Sequence, residues 1–335
     1  MTRKTSYVTA IAAATFCLLV APANATHVQC GDTITISTVL DSDVVCGAGE
    51  PYGLIIGAND IVLNLSGYTV RGVSDGNRAG IYNPGLPGSP GPANSHVRVK
   101  AGRIEGFDYG VQMGASDSTL HRLRISTPIG VRVHGDRNTL SESEFIGTET
   151  YAASLGGDDP YLWGNRYTST DAAGGSYVFL AAGNRSRVVN NHVVCQTAPC
   201  FDGGVPAINA GYPNAFVNAN TVVGDYAWGI YVESTLARVT RNESIGNFTG
   251  IQVAGQGSLV GGNVANNFGP LVDQFSTGIA IFGPGVTVRN NTANDNSGYG
   301  IYAVRGTIDG GGNTASGNGQ GDTAQCWNIQ CGPSR

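Results

Sequence analysis

One short phrase recurs along this chain: a glycine, an aliphatic residue, any residue and a second aliphatic residue, as in Gly250-Ile251-Gln252-Val253. Between its two clear groups we assign weaker copies at Ala153-Ser154-Leu155, Val178-Phe179-Leu180 and Ile208-Asn209-Ala210. A repeat of about 20–50 residues is typical of solenoids, propellers and arrays, so each copy predicts one unit of a stacked fold. The clear copies begin at Gly53, Gly80, Gly110, Gly130, Gly229, Gly250, Gly278 and Gly300.

A series of asparagines keeps pace with the second half of this repeat. Asparagine adopts the left-handed backbone of a tight turn at low cost, and stacked amides can hydrogen-bond to one another along a stack. We therefore interpret these residues as turn positions of successive units. The series consists of Asn191, Asn220, Asn242, Asn263, Asn291 and Asn313.

The residue types decide which solenoid this is. Glycine, asparagine and threonine interrupt every window that a helical repeat would fill with good helix formers, and leucine lacks the fixed positions of a leucine-rich repeat. Short alternating runs of valine and isoleucine predict strands joined by tight turns. The predicted fold class is therefore all-β: a single-stranded parallel β-helix of about ten or eleven coils with disulfide-stapled end caps.

The beginning of the chain predicts export. Arg3 and Lys4 precede an apolar run over residues 7–21 and the small-residue site Ala23-Asn24-Ala25, which is the order of a signal peptide. We expect a secreted, extracellular protein, or a periplasmic one in a Gram-negative bacterium, whose mature chain has no membrane span. The predicted domains are a signal peptide (1–25), an N-terminal cap (26–52), the β-helix (53–320) and a disulfide-closed C-terminal tail (321–335).

The cysteines beyond the leader fall into three couples that are local in sequence. An even number of cysteines in an exported chain favours disulfides. A zinc site is the alternative, but no Cys-x-x-Cys or Cys-x-x-His spacing supports it. The predicted couples are Cys30 with Cys46, Cys195 with Cys200, and Cys326 with Cys331.

The formal net charge of the chain is −5 at pH 7, and removal of Arg3 and Lys4 with the leader makes it more negative. Nucleic-acid binding requires a concentrated basic surface, so this class of partner is excluded. An acidic sugar bound through a local basic patch is compatible with the same charge.

The repeat resembles that of secreted bacterial right-handed parallel β-helix repeat proteins of the pectin-lyase-like superfamily. The most specific segments are Cys30-Gly31-Asp32-Thr33-Ile34-Thr35, Asp43-Val44-Val45-Cys46 and residues 61–72, and the resemblance covers nearly the whole mature chain. It implies a right-handed coil and a polysaccharide ligand, as in pectate lyases, polygalacturonases and alginate epimerases. The catalytic motifs of these enzymes do not match; only Gly157-Asp158-Asp159 resembles part of one, so no named activity is carried over.

Six residues near the middle form the candidate catalytic site. If Val131 and Val133 point inward, Arg132 and His134 point outward, because side chains alternate along a strand. The set could supply a cation, a base and a proton donor for cleaving an acidic polysaccharide, or its aspartates could bind calcium. The alternative is that the aspartates are turn residues and the histidine is a solvated surface residue. The candidates are Arg132, His134, Asp136, Asp158, Asp159 and Tyr161.

Tyr231 and Glu233 fall in the same two outward columns further along the stack, so we predict that they contact substrate. We expect a monomer that interacts with a polysaccharide, one with acidic sugars being the leading candidate, as a lyase, hydrolase or epimerase. No cofactor is expected other than the calcium already considered. The different-class alternative is a non-catalytic extracellular rod with a structural or adhesive role.

Overall fold

The computed structural model describes residues 25–73, 78–86, 91–169, 177–196, 204–266, 276–319 and 325–332. Within these ranges all regular elements are β-strands, and the chain winds into a parallel β-solenoid of about 12 turns. The predicted signal peptide lies outside the described residues apart from Ala25. Among the described residues, no helix has the length and apolar character needed to cross a membrane.

Each full coil contributes one strand to each of three faces, and like strands stack in parallel. Face 1 is a sheet of its own. Its strands are β2 (Asp32–Ile34), β5 (Tyr52–Ile56), β8 (Ala79–Asn83), β10 (Tyr109–Gly114), β12 (Ile129–His134), β15 (Tyr151–Gly156), β18 (Tyr177–Ala182), β21 (Pro206–Ala210), β24 (Trp228–Val232), β27 (Thr249–Val253), β30 (Thr277–Ile281), β33 (Ile301–Ala303) and β36 (Cys326–Trp327).

Faces 2 and 3 form one continuous sheet, because β9 (Arg98–Glu105) and β11 (Thr119–Ser126) run from one face to the other. The remaining strands of face 2 are β1 (Ala25–Thr26), β3 (Thr38–Leu40), β6 (Val62–Asn64), β13 (Thr139–Ser141), β16 (Tyr161–Trp163), β19 (Arg187–Val189), β22 (Phe216–Asn218), β25 (Arg238–Thr240), β28 (Leu259–Gly261), β31 (Thr287–Arg289) and β34 (Ile308–Asp309). Those of face 3 are β4 (Val44–Val45), β7 (Thr69–Arg71), β14 (Glu144–Ile146), β17 (Arg166–Ser169), β20 (His192–Cys195), β23 (Thr221–Val223), β26 (Glu243–Ile245), β29 (Val264–Asn266), β32 (Thr292–Asn294) and β35 (Thr314–Ser316).

The aliphatic pairs of the repeated phrase form the core, as predicted. Val131 and Val133 stack on Ala153 and Leu155 of the next coil, and all four side chains are at most 4% exposed. Burial of a side chain of this size contributes about 1.5–3 kcal/mol. The core is therefore one continuous column of inward side chains.

The weaker copy at residues 178–180 was predicted in the wrong register. The structure pairs Ala153 with Phe179 and Leu155 with Ala181, so Phe179 and Ala181 point inward, and Leu180 points outward. Val178 occupies the position that glycine holds in the clear copies, so a large apolar residue precedes the inward pair and imitates its first member. The Phe179 ring instead fills the interior against Phe145, with ring centroids 6.0 Å apart.

Glycine begins the clear copies because the backbone of the next coil lies against that position. A Cβ at Gly130 would lie 2.2 Å from the carbonyl oxygen of Ala152, and one at Gly250 would lie 2.6 Å from that of Gly278. Side chains at these positions would collide with the stacked backbone. The corner between faces 3 and 1 is consequently tight wherever this glycine occurs.

The predicted asparagine series forms a buried ladder between faces 2 and 3. The Asn220 Oδ1 atom accepts hydrogen bonds from the backbone N–H of Asn191 at 2.9 Å and from its side-chain amide at 3.0 Å. The same two bonds connect Asn220 to Asn242 and continue coil by coil to Asn313. Asn165 extends the ladder by one more coil.

Disulfides close both end segments, as predicted: the Cα atoms are 5.2 Å apart for Cys30 and Cys46, and 6.0 Å apart for Cys326 and Cys331. Cys195 is disulfide-bonded, and its predicted partner, Cys200, lies outside the described residues. Strands β2 and β36, inside the predicted cap and tail, join face 1. The solenoid therefore has about 12 turns rather than the predicted ten or eleven.

Candidate functional site

Two rows of side chains point away from the core along face 1, and on β8, β21 and β30 the members of both rows are buried. The aromatic row, at the position before each repeat glycine, carries Tyr52, Ala79, Tyr109, Ile129, Tyr151, Tyr177, Pro206, Trp228, Thr249, Thr277 and Tyr299. The central row, between the two inward residues of each strand, carries Ile55, Tyr82, Gln112, Arg132, Ser154, Leu180, Asn209, Tyr231, Gln252, Ala280 and Tyr302. Successive members lie one strand spacing apart, about 4.8 Å.

Arg132 and His134 point outward from β12 and are exposed, as the sequence predicts. Tyr151, on the next coil, lies close enough to Arg132 for the two to interact electrostatically. Burial raises the pKa of the Tyr151 phenol, and Arg132 offsets part of this effect. A Cβ at Gly156 would lie 3.0 Å from the His134 Nδ1 atom, so the imidazole ring occupies the space that this glycine leaves.

Further along face 1, Tyr231 lies in the row of Arg132, as predicted. Its hydroxyl donates a hydrogen bond to Glu233 Oε1. Burial of the phenol and, to a smaller extent, its hydrogen bond to the Glu233 carboxylate raise the pKa of Tyr231 to about 12. The Trp228 ring lies 5.6 Å from the Tyr231 ring, and its Nε1–H donates to Gln252 Oε1 at 2.8 Å. Both rings are thereby held in place beside polar groups.

The predicted aspartates lie in the turn after face 1, where other groups already bind them. Asp136 Oδ1 accepts the backbone N–H of Asp158 at 2.8 Å. Asp158 Oδ1 accepts the side-chain amide of Asn184 at 2.8 Å. Arg185 donates to both carboxylate oxygens of Asp159, each at 2.7 Å, and this contact lowers the pKa of Asp159. Asp159 is therefore held in its ionised form by Arg185.

Asp159 belongs to a column of charged residues that sequence reasoning missed. We call it the ionic column: its members alternate between acid and base from coil to coil, and all have a left-handed backbone with φ between 55° and 59°. Arg137 donates to both oxygens of Asp117, at 2.6 and 2.8 Å, and His96 lies within 3.8 Å of Asp117 and 3.7 Å of Asp60. The column consists of Asp60, His96, Asp117, Arg137, Asp159 and Arg185.

Tyr161 does not join the other candidates. It begins β16 on face 2, and the guanidinium carbon of Arg187 lies 4.7 Å from the centroid of its ring. The predicted grouping followed its closeness in sequence to Asp159, but the turn between the two residues carries the chain onto another face. The phenol that does lie beside Arg132 is Tyr151.

The described residues contain one cluster with metal-ligand spacing, Cys30, Cys46 and Glu50, and the disulfide consumes its two sulfur atoms. Calcium bound by Asp158 and Asp159 would compete with Arg185 for the same carboxylates. A residue not predicted is Asp225, which precedes β24: burial raises the pKa of its carboxyl. Nothing in its sequence surroundings signals this burial.

No protein-family model matches the chain, and no curated relative was found. The A-module of a mannuronan C-5 epimerase from Azotobacter vinelandii is 13% identical, with 90% of this chain and 92% of that chain covered and a TM-score of 0.45. The Dettilon tailspike protein is 14% identical over 90% of this chain and 60% of its own (TM-score 0.46). The catalytic domain of a GH87 alpha-1,3-glucanase, in complex with nigerose, is 14% identical, with 90% of this chain and 62% of that chain covered and a TM-score of 0.37.

Proposed function

We propose that this protein binds a polysaccharide lengthwise along face 1. The observation that carries the proposal is the pair of adjoining rows: half-buried aromatic rings recur in one row, and hydrogen-bonding side chains recur in the other. Aromatic faces pack on apolar surfaces, and their polar neighbours fix orientation, which is the composition of a ligand site. The four successive strands β10, β12, β15 and β18 carry half-buried or exposed members in both rows, and their equal spacing suits a ligand that is itself a repeating chain. The disulfides support a place outside the cytoplasm.

The polysaccharide that fits best carries acidic groups. Arg132 is exposed in the middle of face 1, and no described carboxylate lies within 4.0 Å of its guanidinium. An unpaired arginine can bind a carboxylate through two parallel hydrogen bonds. Neighbouring Tyr109 and Tyr151 offer rings on either side of this cation in the adjoining row.

If the protein is an enzyme, chemistry at C5 of a uronic acid suits face 1 better than hydrolysis. Along described face 1 strands β5 to β33 and the position that follows each, the only outward carboxylate is Glu233, whereas hydrolysis uses two. In the proposed reaction Arg132 neutralises the sugar carboxylate, and His134 removes the C5 proton. In elimination the C4–O bond then breaks, and the leaving oxygen takes up a proton. In epimerisation a proton returns to C5 from the other side.

Of the residues predicted to be catalytic, Arg132 and His134 keep their proposed roles, and Tyr151 takes the place of Tyr161 as the nearby phenol. Asp136, Asp158 and Asp159 then position the turn beside the site, because each is bound to a neighbouring coil. Tyr231 and Glu233 remain proposed substrate contacts further along face 1. The proposed roles therefore depend on whether a side chain lies on face 1 or in the turn beside it.

The test is a binding panel of polygalacturonate, alginate and neutral dextran, measured by calorimetry. We expect binding of an acidic polymer, weakened roughly two- to tenfold by Tyr151→Ala and by Tyr177→Ala. Tyr161→Ala is the matched control, because this half-buried tyrosine lies on face 2, and it should leave affinity unchanged. Equal effects of all three variants, or no binding to any polymer, would refute the proposal.

Catalysis is tested separately on the polymer that binds. We expect His134→Gln to retain binding and to abolish the ultraviolet absorbance of an unsaturated product or the exchange of the C5 proton. Binding without turnover, and without release of reducing ends, would establish the alternative of a non-catalytic extracellular rod.

A further inference from the structure

A depression of about 400 Å³ lies on face 2, away from the rows of face 1. Three arginines and a pair of adjacent glycines dominate its lining. A volume of this size lies within the range of about 300–1,000 Å³ that is usual for small-ligand sites. Its lining includes Phe216, Arg238, Arg241, Gly261, Gly262 and Arg289.

Gly261 and Gly262 contribute no side chain to the lining of the depression. Gly261 stacks between Thr240 of the previous coil and Arg289 of the next, and Gly310 follows Arg289 in the same column. The left-handed backbone of Gly262, with φ of 66°, is the turn conformation that Arg241 also adopts one coil earlier. Gly261 is not among the left-handed residues, so its backbone does not require glycine.

Arginine side chains from both neighbouring coils flank this glycine pair. A Cβ at Gly261 would lie 3.5 Å from the Cγ atom of Arg289 and 3.8 Å from its Nε atom. A Cβ at Gly262 would lie 3.9 Å from the Cγ atom of Arg241. The Arg289 side chain therefore lies over Gly261, and the Arg241 side chain lies beside Gly262.

These arginines have no carboxylate partner among the described residues. Arg71, Arg122, Arg137 and Arg185 each form ion pairs within 4.0 Å, but Arg238, Arg241 and Arg289 form none and are exposed. Glu243, the nearest acid in sequence, begins β26 on face 3, beyond the turn at Asn242. Three unpaired guanidinium groups around one hollow, in a chain of net charge −5, form a localised anion-binding surface.

Apolar groups occupy the other side of the hollow. Phe216 lies in register with Arg187 before it and with Arg238 after it, and Leu259 follows Arg238 in the same column. The ring and the leucine side chain can contact the C–H face of a sugar while the guanidinium groups bind its acidic substituent. An extended basic surface of the kind that nucleic acids need is lacking here, since the three arginines are confined to one hollow.

We infer that this hollow is a second glycan site, which binds the carboxylate or sulfate group of an acidic oligosaccharide between Arg241 and Arg289. The inference does not depend on the function proposed for face 1, because the two surfaces share no residue. Carboxylate and sulfate present the same anionic oxygens to arginine, so the experiment must distinguish them.

The probes are a short oligogalacturonate, a sulfated dextran oligomer, neutral dextran of the same length and a single-stranded oligonucleotide. Binding is measured by calorimetry at low and at moderate salt. The charge variant is Arg241→Gln with Arg289→Gln. Its matched control is Arg98→Gln with Arg103→Gln, which removes two exposed arginines of faces 2 and 3 near the other end of the solenoid. A third variant, Gly261→Val, fills the hollow without changing the charge.

We expect one acidic oligosaccharide to bind, the charge variant to weaken it by about tenfold or more, and the control pair to change affinity less than about twofold. Gly261→Val should weaken binding comparably, and the same losses are expected in a Tyr151→Ala background, in which binding at face 1 is itself weakened. The preferred probe identifies carboxylate or sulfate as the ligand group. Equal losses in both arginine pairs, full affinity in Gly261→Val, or stronger binding of the oligonucleotide would each overturn the inference.

Discussion

Asn220 offers a direct measurement of what the buried ladder contributes to stability. Its side chain is 0% exposed and takes part in four hydrogen bonds. It accepts two bonds from Asn191, at 2.9 and 3.0 Å, and donates to the Val188 carbonyl at 2.8 Å and to Asn242 Oδ1 at 3.0 Å. Asn220→Ala removes all four and leaves the buried backbone N–H of Asn191 without its acceptor.

At about 0.5–1.5 kcal/mol for each hydrogen bond, the free energy of unfolding should fall by about 2–6 kcal/mol. The matched control is Asn218→Ala, two residues away on the outer side of face 2. Asn218 is half-buried, and its side chain accepts one bond, from Thr240 Oγ1 at 2.9 Å. The control should therefore lose no more than about 1.5 kcal/mol.

Urea unfolding followed by circular dichroism gives the two free energies, and hydrogen–deuterium exchange with mass spectrometry locates the loss. In Asn220→Ala the peptide that contains Asn191 should exchange faster, because its amide has lost its acceptor. If both variants unfold at the same urea concentration and the Asn191 amide stays protected, the ladder does not stabilise the fold as we reason.

Three further outcomes are expected. Burial raises the pKa of Asp225, so its ionised form destabilises the fold above that pKa; Asp225→Asn should raise the thermal midpoint at pH 7, with the gain vanishing below the ordinary carboxyl value of 3.8. Arg185 lowers the pKa of Asp159, which stabilises the fold above the ordinary carboxyl pKa; Arg185→Gln should lower the midpoint at pH 7 but not once acid has protonated Asp159 in both proteins. Replacing Cys30 and Cys46 by serine should cost about 3 kcal/mol in urea unfolding, and reductant should destabilise the wild type but no longer act on this bond in the variant.

The outward direction of Arg132, His134 and Tyr231 could be predicted because two rules fix it. Side chains alternate along a strand, and stacked coils repeat the same positions. Where glycine marked the start of the phrase, both rules applied to the correct residue. At Val178 a large apolar residue stands in place of glycine, and the register shifted by one residue.

The partners of the aspartates could not be predicted in the same way. Asp117 and Arg137 are 20 residues apart, whereas Asp159 and Arg185 are 26 apart, because inserted residues lengthen some coils. A pairing that depends on the length of each turn has no constant sequence spacing. Tyr161 is predicted beside Asp159 because the two residues are close in sequence. A corner of the solenoid lies between them, and sequence distance does not reveal it.

The ionic column affects which coils can stack on one another while the chain folds. Because the inward aliphatic residues are similar in every coil, core packing alone distinguishes poorly between correct and incorrect neighbours in the stack. If the winding that carries Arg137 were skipped, Asp117 would face Asp159, and two like charges would repel at the distance where an ion pair now forms. Between Asp60 and Arg185, omission of any single coil therefore places two groups of the same kind side by side, so the surface charges disfavour the simplest stacking error in a repeat whose core residues are similar from coil to coil.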